Sequence, residues 1–370
     1  VNVEGGMIAW SRLLVAEEIP VEGSFTVLQF RREARGCLSY LIEHGGEALV
    51  VDFSRNLNKV IAVDPEARRA EVQPGVVLDH LNAQLKAHGL WFPVDVSTSA
   101  QATLGGMAGN NSCGSRSIAY GNMVHNVLGI DAVLADGTRE HFGAFGVNGA
   151  RSLTGSRSAS LVSRLFEIGA REREEIERVW PRVMRRVGGY NLDVFHPQSE
   201  RPYTADGSVN LAHLLVGSEG TLATFRRLHL ALSPLPSAKV LGVINFPDFH
   251  AAMASAQHIV RLGPVAVELV DRTMIDLARA NPAFRAVIDS ALVRRDGELP
   301  QAVLLVEFAG DDRAAITRRH EDCLHAGRPS PDGSPSWSIW SPISWACPAR
   351  SCNSRMSARR RHSGRCARRV

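Results

Sequence analysis

A glycine-rich segment at residues 95–120 constrains the fold of this chain more than any other stretch. Ser, Thr and Asn are frequent around its four glycines, which are Gly105, Gly106, Gly109 and Gly114. We expect neither an ordinary helix nor a central strand here, because glycine weakens both. Glycine has no Cβ, so it lets backbone N–H groups approach a flat or anionic ligand. A strand-like run at 127–134 and an Asp136-Gly137 hairpin turn follow, so we interpret the segment as a ligand-binding loop rather than a flexible linker.

Length and composition indicate a globular protein of two domains. The chain has 370 residues and a hydrophobic content of 45%, which is ordinary for such proteins. No apolar run reaches the roughly 18 residues that span a membrane, and no basic segment leads into an apolar one as in a secretory signal. The six cysteines form no CxxC pair and no Cys/His spacing of the zinc type. We therefore expect reduced thiols, no metal site and a cytoplasmic location, with association at a membrane surface as an alternative.

The positive charge of the chain is concentrated in its last residues. The whole sequence has 42 basic and 38 acidic residues, a net charge of +4. Residues 328–370 contain nine arginines and one acid, Asp332, which leaves 33 basic and 37 acidic residues in the rest, a net charge of −4. The overall basicity is therefore no argument that the body of the protein binds nucleic acid.

Hydrophobic periodicity predicts the following elements in the first 235 residues. Residues 1–45 show no clean period. A helix at 77–88 places Leu78, Leu81 and Leu85 on one face and stops at Gly89. Helical patterns also cover 148–187, where Ile176, Val179 and Val183 share a face. Strands are predicted at 48–53, 60–65, 69–75, 127–134, 138–142, 211–216 and 225–232.

A second α+β unit follows the linker-like Pro234-Leu235-Pro236. We predict strands at 239–246, 265–270 and 302–308, with helices at 250–262 and 274–280. After Gly327 the chain becomes rich in Ser, Pro, Arg and Trp and loses all periodicity. Disordered tails are usually poor in tryptophan, so we do not interpret this stretch as an ordinary tail.

Several separated motifs at 46–325 resemble the FAD-linked oxidases of the para-cresol methylhydroxylase and vanillyl-alcohol oxidase type. Those in the glycine-rich segment are Ser97-Thr98-Ser99, Ala102-Thr103-Leu104-Gly105-Gly106, Gly109-Asn110-Asn111-Ser112-Cys113-Gly114 and Tyr120-Gly121. Later ones are Gly188-Gly189-Tyr190-Asn191-Leu192, Gly217-Ser218-Glu219-Gly220-Thr221-Leu222 and Val267-Glu268-Leu269-Val270-Asp271-Arg272. Within that type, they resemble the subgroup that oxidises D-2-hydroxy acids, namely D-lactate, glycolate and D-2-hydroxyglutarate.

The resemblance implies an α+β fold with FAD as the cofactor. It divides the chain into a degraded N-terminal part (1–45), a two-subdomain FAD-binding domain (46–235), an incomplete substrate domain (237–327) and an aberrant tail (328–370). Its implied FAD contacts are Ser97, Thr98, Ala102, Thr103, Gly105, Gly106, Gly109, Asn110, Asn111, Gly114, Ser115, Tyr120, Gly121, Gly217, Ser218, Glu219, Gly220 and Thr221. The partners would be a small 2-hydroxy acid and an electron acceptor such as a quinone or a cytochrome, and the catalytic residues are not assigned.

Some residues in these motifs have alternative interpretations. Tyr120 and Tyr190 either pack on a ring of the cofactor or fill the core. Glu219 is expected to cap neighbouring N–H groups rather than act as a base. Cys113 is interpreted as structural, with a covalent flavin link as the alternative. The remaining histidines are interpreted as surface or core residues rather than ligands; these are His80, His88, His125 and His141.

Two departures from the family pattern suggest a frame-shifted coding sequence. Residues 35–46 lack the glycine run of the family's first FAD loop, and nothing after Gly327 matches the part that supplies the catalytic histidine and the substrate-binding cations. We therefore expect a dispensable tail, and turnover at or near background. The alternatives are a catalytically inactive flavin-binding remnant, or a protein that binds nucleic acid or anionic surfaces through the arginine-rich tail. His213 and His250 are the first residues to test as a base.

Overall fold

The computed structural model describes residues 15–19, 26–31, 38–44, 47–49, 53–145, 156–183, 185–195, 209–326 and 339–341. The chain divides into two compact units, Val1–Leu57 and Asn58–Val370. Two predictions lie outside the described residues: the degraded glycine loop at 35–37 and 45–46, and the arginine cluster near the C-terminus.

The strands, in chain order, are β1 (Val15–Ile19), β2 (Thr26–Arg31), β3 (Leu38–His44), β4 (Glu47–Leu49), β5 (Val60–Asp64), β6 (Arg69–Val72), β7 (Leu90–Trp91), β8 (Val127–Val133), β9 (Arg139–Phe142), β10 (Ala144–Phe145), β11 (Val209–Asn210), β12 (Thr224–Ala231), β13 (Ser233–Pro234), β14 (Ala238–Phe246), β15 (Ala266–Asp271), β16 (Ala302–Gly310) and β17 (Ile339–Ser341).

The helices are α1 (Phe53–Asn56), α2 (Leu78–Leu85), α3 (Leu104–Gly109), α4 (Ser117–Tyr120), α5 (Met123–Asn126), α6 (Ser156–Arg171), α7 (Arg173–Val179), α8 (Ala212–Leu215), α9 (Phe249–Ile259), α10 (Arg272–Ala280), α11 (Pro282–Ala291) and α12 (Arg313–Ala326). Short 3₁₀ turns lie at Lys86–His88, Leu192–Phe195 and Val260–Leu262. None of the helices described is long and apolar enough to cross a membrane.

The first unit contains an antiparallel meander of β1, β2, β3 and β4 in sequential order. Residues 1–45 show no clean period, so strands β1, β2 and β3 were not predicted. The predicted strand at 48–53 is confirmed at Ala48 and Leu49 and is wrong at Phe53, which begins helix α1; residues 50–52 lie outside the described residues.

A five-stranded antiparallel sheet, in the order β5-β6-β12-β8-β9, organises the first part of the second unit. Both predicted hairpins are confirmed. The β8–β9 turn has Gly137 at φ 82°, and the Thr138 N–H donates to Asp136 Oδ1 at 2.9 Å. Helix α2 packs on this sheet through the three predicted leucines and ends before Gly89, whose φ is 66°.

Helices α3 and α4 lie within the glycine-rich segment and α5 follows it, so the prediction that this segment forms no ordinary helix is wrong. Thr103 caps α3 by accepting a hydrogen bond from Gly106 N, and Leu104 and Met107 are buried in the core. The cap and this burial compensate for the low helix propensity of glycine.

Two other predictions need correction. Helix α7 ends at Val179, so Val183 is not helical, because the residue before Pro181 is disfavoured in the α region. Residues 211–216 form helix α8 rather than a strand. All four residues of α8 are buried, so the sequence shows a short apolar run, and periodicity cannot distinguish a strand from a helix in such a run.

The C-terminal part of the second unit is a sheet in the order β15-β16-β14-β17, and its predicted strands and helices are confirmed. Helices α9 and α12 cover one face with Ile259 and Ile316, and Ile275 of α10 packs on the other. Strand β17 comes from the stretch after Gly327, where no element was predicted, and pairs with β14. The linker before β14 is also paired, since β13 forms a short ladder with β7 and Leu235 N donates to Gly89 O at 2.8 Å.

Gly105 is explained by packing within the protein. A Cβ at this position would overlap with Pro74, whereas a Cβ at Gly109 would meet no atom within 4 Å. We expect Gly105→Ala to lower the free energy of unfolding by about 1–3 kcal/mol through overpacking. The control, Gly109→Ala, should change it by less than about 1 kcal/mol. Denaturant unfolding of the two variants checks this, and equal effects would contradict the role given to Pro74.

Candidate functional site

The C-terminal end of helix α3 joins two of the predicted motifs. The N–H of Gly217 donates to the carbonyl of Ala108, and the N–H of Glu219 donates to that of Gly109, both at 2.9 Å. The 217–221 segment therefore takes up carbonyls that the end of a helix leaves unpaired. The two motifs lie more than 100 residues apart in the chain, and these bonds place them side by side.

Asn111 fixes the backbone just beyond this end. It is buried, and it adopts a left-handed conformation with φ 51°, which asparagine tolerates better than most residues. Its Oδ1 accepts a hydrogen bond from Val124 N at 3.0 Å, and its Nδ2 donates to Arg186 O at 3.2 Å. Asn111 thus links α3, α5 and the segment before the Gly188-Gly189 motif.

Ser218 has a buried hydroxyl with no hydrogen-bond partner among the described residues. Such a group is costly unless a ligand or water satisfies it. Beside it, a Cβ at Gly109 or Gly220 would meet nothing within 4 Å. The site therefore combines the Ser218 hydroxyl, which has no hydrogen-bond partner among the described residues, with two glycines that have free space beside their Cα atoms.

Tyr190 and Thr221 border the same region. The Tyr190 hydroxyl lies 2.8 Å from Thr221 Oγ1, and the ring is 42% exposed. The interpretation of Tyr190 as a core residue is therefore wrong.

The earlier part of the predicted site lies against helix α2. Ser97 and Thr98 occupy an exposed turn, in which the Thr98 carbonyl accepts from Gln101 N and Ala102 N at 2.8 Å. The Ala102 carbonyl in turn accepts from Leu78 N at 3.0 Å. These residues are held by α2 and the α3 cap, whereas Gly109 is held by the 217–221 segment and Asn111 by Val124 and Arg186.

Arg116 connects the glycine-rich segment to the C-terminal sheet. Its Nη1 donates to Asp95 Oδ2 at 2.8 Å, while Nε and Nη2 form a bidentate pair with Glu307 at 3.1 and 2.7 Å. Burial alone would lower the pKa of Arg116, but the two carboxylates more than offset this, so the pKa lies above its ordinary value. Gly114 is tightly packed, since a Cβ there would overlap with Asp95, and Ser115 Oγ donates to Asp95 Oδ2 at 2.9 Å.

Tyr120 packs edge-on against Trp91, with ring centroids 5.3 Å apart. This contact agrees with the interpretation of Tyr120 as a packing residue. Gly121 has φ 76°, and His125 fills the space next to it, with Nδ1 accepting a hydrogen bond from Asn122 N at 3.0 Å. His125 is therefore a structural cap.

Glu219 does not cap the loop. No described residue donates a hydrogen bond to its carboxylate, so that expectation is wrong. Its left-handed φ of 52° and its backbone bond to Gly109 explain its place in the turn, and partial burial raises the pKa of its carboxyl.

The two histidines proposed as candidate bases lie in different settings. His213 is 2% exposed, with Nε2 3.3 Å from the Val127 carbonyl oxygen. Desolvation lowers the pKa of His213 to about 4, so the imidazole is neutral at physiological pH. His250 is exposed on helix α9 of the C-terminal part. His213 is thus a core residue.

Two family models match the chain in sequence order. The FAD binding domain matches residues 33–143, and the C-terminal domain of FAD linked oxidases matches residues 235–329. The chain carries both domains of the FAD-linked oxidases. FAD is therefore its cofactor. The first match begins ahead of residue 46, where the resemblance was expected to start.

Curated relatives carry names from the expected subgroup. The chain is 35% identical to a D-2-hydroxyglutarate dehydrogenase of Pantoea ananatis over 279 residues, covering 74% of this chain and 26% of the relative. The Escherichia coli enzyme of the same name is 32% identical over 276 residues, with the same coverage. A D-lactate dehydrogenase of Archaeoglobus fulgidus is 28% identical over 255 residues, covering 69% of this chain and 43% of the relative. The chain thus spans about a quarter of the length of the two D-2-hydroxyglutarate dehydrogenases.

The residues around the 217–221 segment fit FAD. Uncharged donors and open glycines suit a pyrophosphate or a flavin oxygen, and the unpaired Ser218 hydroxyl needs such an acceptor. The role of each of the eighteen predicted contacts stays a prediction. Sequence reasoning missed Arg116 and its partner Glu307, which lies 191 residues away, because no local pattern connects them.

Ser218→Ala separates cofactor binding from folding. Loss of a hydrogen bond to a charged acceptor should weaken FAD binding by about 10-fold or more. Without FAD the variant should be at least as stable as the parent, since an unsatisfied buried hydroxyl has been removed. The control is Ser290→Ala, whose hydroxyl donates to Val287 O in the C-terminal part. Fluorescence titration of FAD checks this, and parental affinity in Ser218→Ala would contradict the assignment.

His213 should make stability depend on pH. Because its folded-state pKa of about 4 lies below the ordinary 6.5, the unfolded state binds the proton more readily. The stability that depends on neutral His213 is fully present above pH 6.5. As the pH falls toward 4, the free energy of unfolding decreases by about 3 kcal/mol. Unfolding at several pH values should give a shallower acid slope for His213→Gln than for the parent, and an unchanged slope for the exposed control His250→Gln. Identical slopes for all three proteins would show that His213 is not buried as described.

Proposed function

We propose that this chain serves the FAD-dependent oxidation of a D-2-hydroxy acid to the corresponding 2-oxo acid. The observation that carries the proposal is the joining of two FAD-type motifs around the unpaired Ser218 hydroxyl, at the end of helix α3. The names of the curated relatives support the substrate class.

In this proposal the described residues bind and orient the cofactor. A bound FAD would supply the hydride acceptor for the substrate. Ser218 and Asn110 would donate hydrogen bonds to the cofactor oxygens, and Gly109 and Gly220 would leave room for its close approach. Asn111 holds the end of α3 at a fixed spacing from α5 and from the segment before Gly188-Gly189 through its buried amide.

Arg116 forms ion pairs with two carboxylates, those of Asp95 and Glu307, so it is not free to bind the carboxylate of a substrate. We assign it to joining Asp95 and Glu307, and leave the substrate-binding cation and the catalytic base unassigned. The substrate is D-2-hydroxyglutarate, D-lactate or glycolate, and the electrons pass to a quinone, a cytochrome or another carrier. We place the reaction in the cytoplasm, at a membrane surface if the acceptor is a quinone.

Anaerobic flavin reduction tests the proposal directly. The full chain is loaded with FAD and mixed with D-2-hydroxyglutarate, D-lactate or glycolate, and the visible flavin absorbance is followed. We expect slow bleaching by a D acid and none by its L enantiomer. Slow reduction is expected because His125 and His213, on the segments that flank the site, already interact with backbone groups.

The outcomes distinguish the competing functions. Flavin that is retained but never reduced would favour the inactive remnant over the proposed oxidation. A chain that retains no FAD and instead binds RNA in a salt-sensitive manner would favour the function assigned to the arginine-rich tail.

A further inference from the structure

Three metal-ligating side chains meet on the outer face of the five-stranded sheet. Asp131 lies on β8, His141 on β9 and His229 on β12, which are three adjacent strands. One ligand atom from each lies within 4.8 Å of the other two. The sequence analysis interpreted His141 as a surface or core residue rather than a ligand, because His229 comes from a strand nearly 90 residues further along the chain.

The strand register produces the cluster. Asp131 pairs directly with His141, and His229 pairs with Gly129, two residues before Asp131 on the same face. The Oδ1 atom of Asp131 lies 2.6 Å from His141 Nδ1 and 3.5 Å from His229 Nε2. The two imidazole rings stand edge-to-face with centroids 5.2 Å apart.

Two glycines hold the His141 ring in place. A Cβ at Gly129 would lie 2.9 Å from His141 Cε1, and a Cβ at Gly143 would lie 2.7 Å from its Nε2. The ring therefore lies directly against the backbone of two strand segments. A side chain at either position would displace it, so these glycines allow a preorganised imidazole.

The Asp131 carboxylate interacts with the two histidines, because the neighbouring arginine is paired with another residue. Arg227, the neighbouring cation on β12, pairs with Glu71 of β6 at 2.6 Å. His229 Nε2 is buried and forms no hydrogen bond with a described residue. The Asp131 carboxylate therefore faces the two histidines and is not engaged by the neighbouring arginine.

We propose that Asp131, His141 and His229 bind a divalent transition-metal ion of the zinc type. Two imidazoles and one carboxylate suit Zn²⁺ and its first-row neighbours, whereas Mg²⁺ and Ca²⁺ prefer oxygen ligands alone. The side chains remain 28–41% exposed, which leaves room for water to complete the coordination. Two ligand atoms on one tetrahedral zinc ion lie about 3.3 Å apart, so small side-chain movements would open the 2.6 Å contact between Asp131 and His141 and close the wider separations.

A bound ion would tie together the strands that flank the candidate cofactor site. Strand β8 follows helix α5 directly, and β12 begins three residues after Thr221. An ion coordinated by β8, β9 and β12 would fix the register of the strands that continue the two motif-bearing segments. Its role is structural, and it does not depend on the identity of the acid oxidised.

Zinc titration of the full chain tests the site. The FAD-loaded protein, stripped with EDTA and free of any affinity tag, is titrated with Zn²⁺ by calorimetry. We expect His141→Ala and His229→Ala each to weaken binding at this site by at least about 10-fold. His250→Ala, at an exposed histidine of the C-terminal part, should bind as the parent does. Absence of binding in the parent, or equal affinity in all four proteins, would overturn the proposal.

The variant Asp131→Asn and a measurement of melting temperature distinguish loss of metal binding from misfolding. Asp131→Asn conserves shape while removing the charged ligand, and it should lose affinity with an unchanged melting temperature in EDTA. The parent should melt at a higher temperature with Zn²⁺ than without, and the ligand variants should lose that increase. With Co²⁺ as the probe, the parent should show a visible band that both histidine variants lack. A Co²⁺ band retained in both would place the ion elsewhere.

Discussion

Two backbone carbonyls at the end of helix α3, those of Ala108 and Gly109, organise the candidate FAD site. The N–H groups of Gly217 and Glu219 bind them, and this contact brings together motifs that the sequence separates by more than 100 residues. The left-handed conformations of Asn111 and Glu219 follow from it, since the backbone on both sides must turn sharply to make these bonds. The open glycines and the unpaired Ser218 hydroxyl are then presented on one surface.

The Arg116 network has a different role. It is held by Asp95 at the start of the glycine-rich segment and by Glu307 on strand β16, so one guanidinium joins the matched FAD-binding domain to the matched C-terminal domain. Its planar fork fits the Glu307 carboxylate bidentately, a geometry that lysine cannot reproduce. Both carboxylates are largely enclosed, so removal of the arginine would leave two like charges, of which Glu307 would keep the more distant Lys239 Nζ at 3.8 Å.

The sequence predicted those parts of the fold that local chemistry determines. The Asp136-Gly137 hairpin, helix α2 with its stop at Gly89, and the strands β12, β14 and β16 all follow from periodicity and turn residues. The helix at 104–109 was missed because its cap and burial outweigh glycine propensity, and α8 was missed because a fully buried run has no period. Glu307 and His229 could not be connected to their partners, since those contacts depend on tertiary pairing. The cofactor was recognised because its glycine motifs are local.

The connection between the two domains is fastened on both sides. Strand β13 pairs with β7, Leu235 N donates to Gly89 O, and Ser237 N donates to Asp311 Oδ1 at 3.2 Å. A connector with hydrogen bonds to both domains restricts the rotation of one domain relative to the other. Any rotation of the C-terminal domain would therefore have to break these pairings and the Arg116 ion pairs, and salt would weaken those ion pairs little because they are largely enclosed.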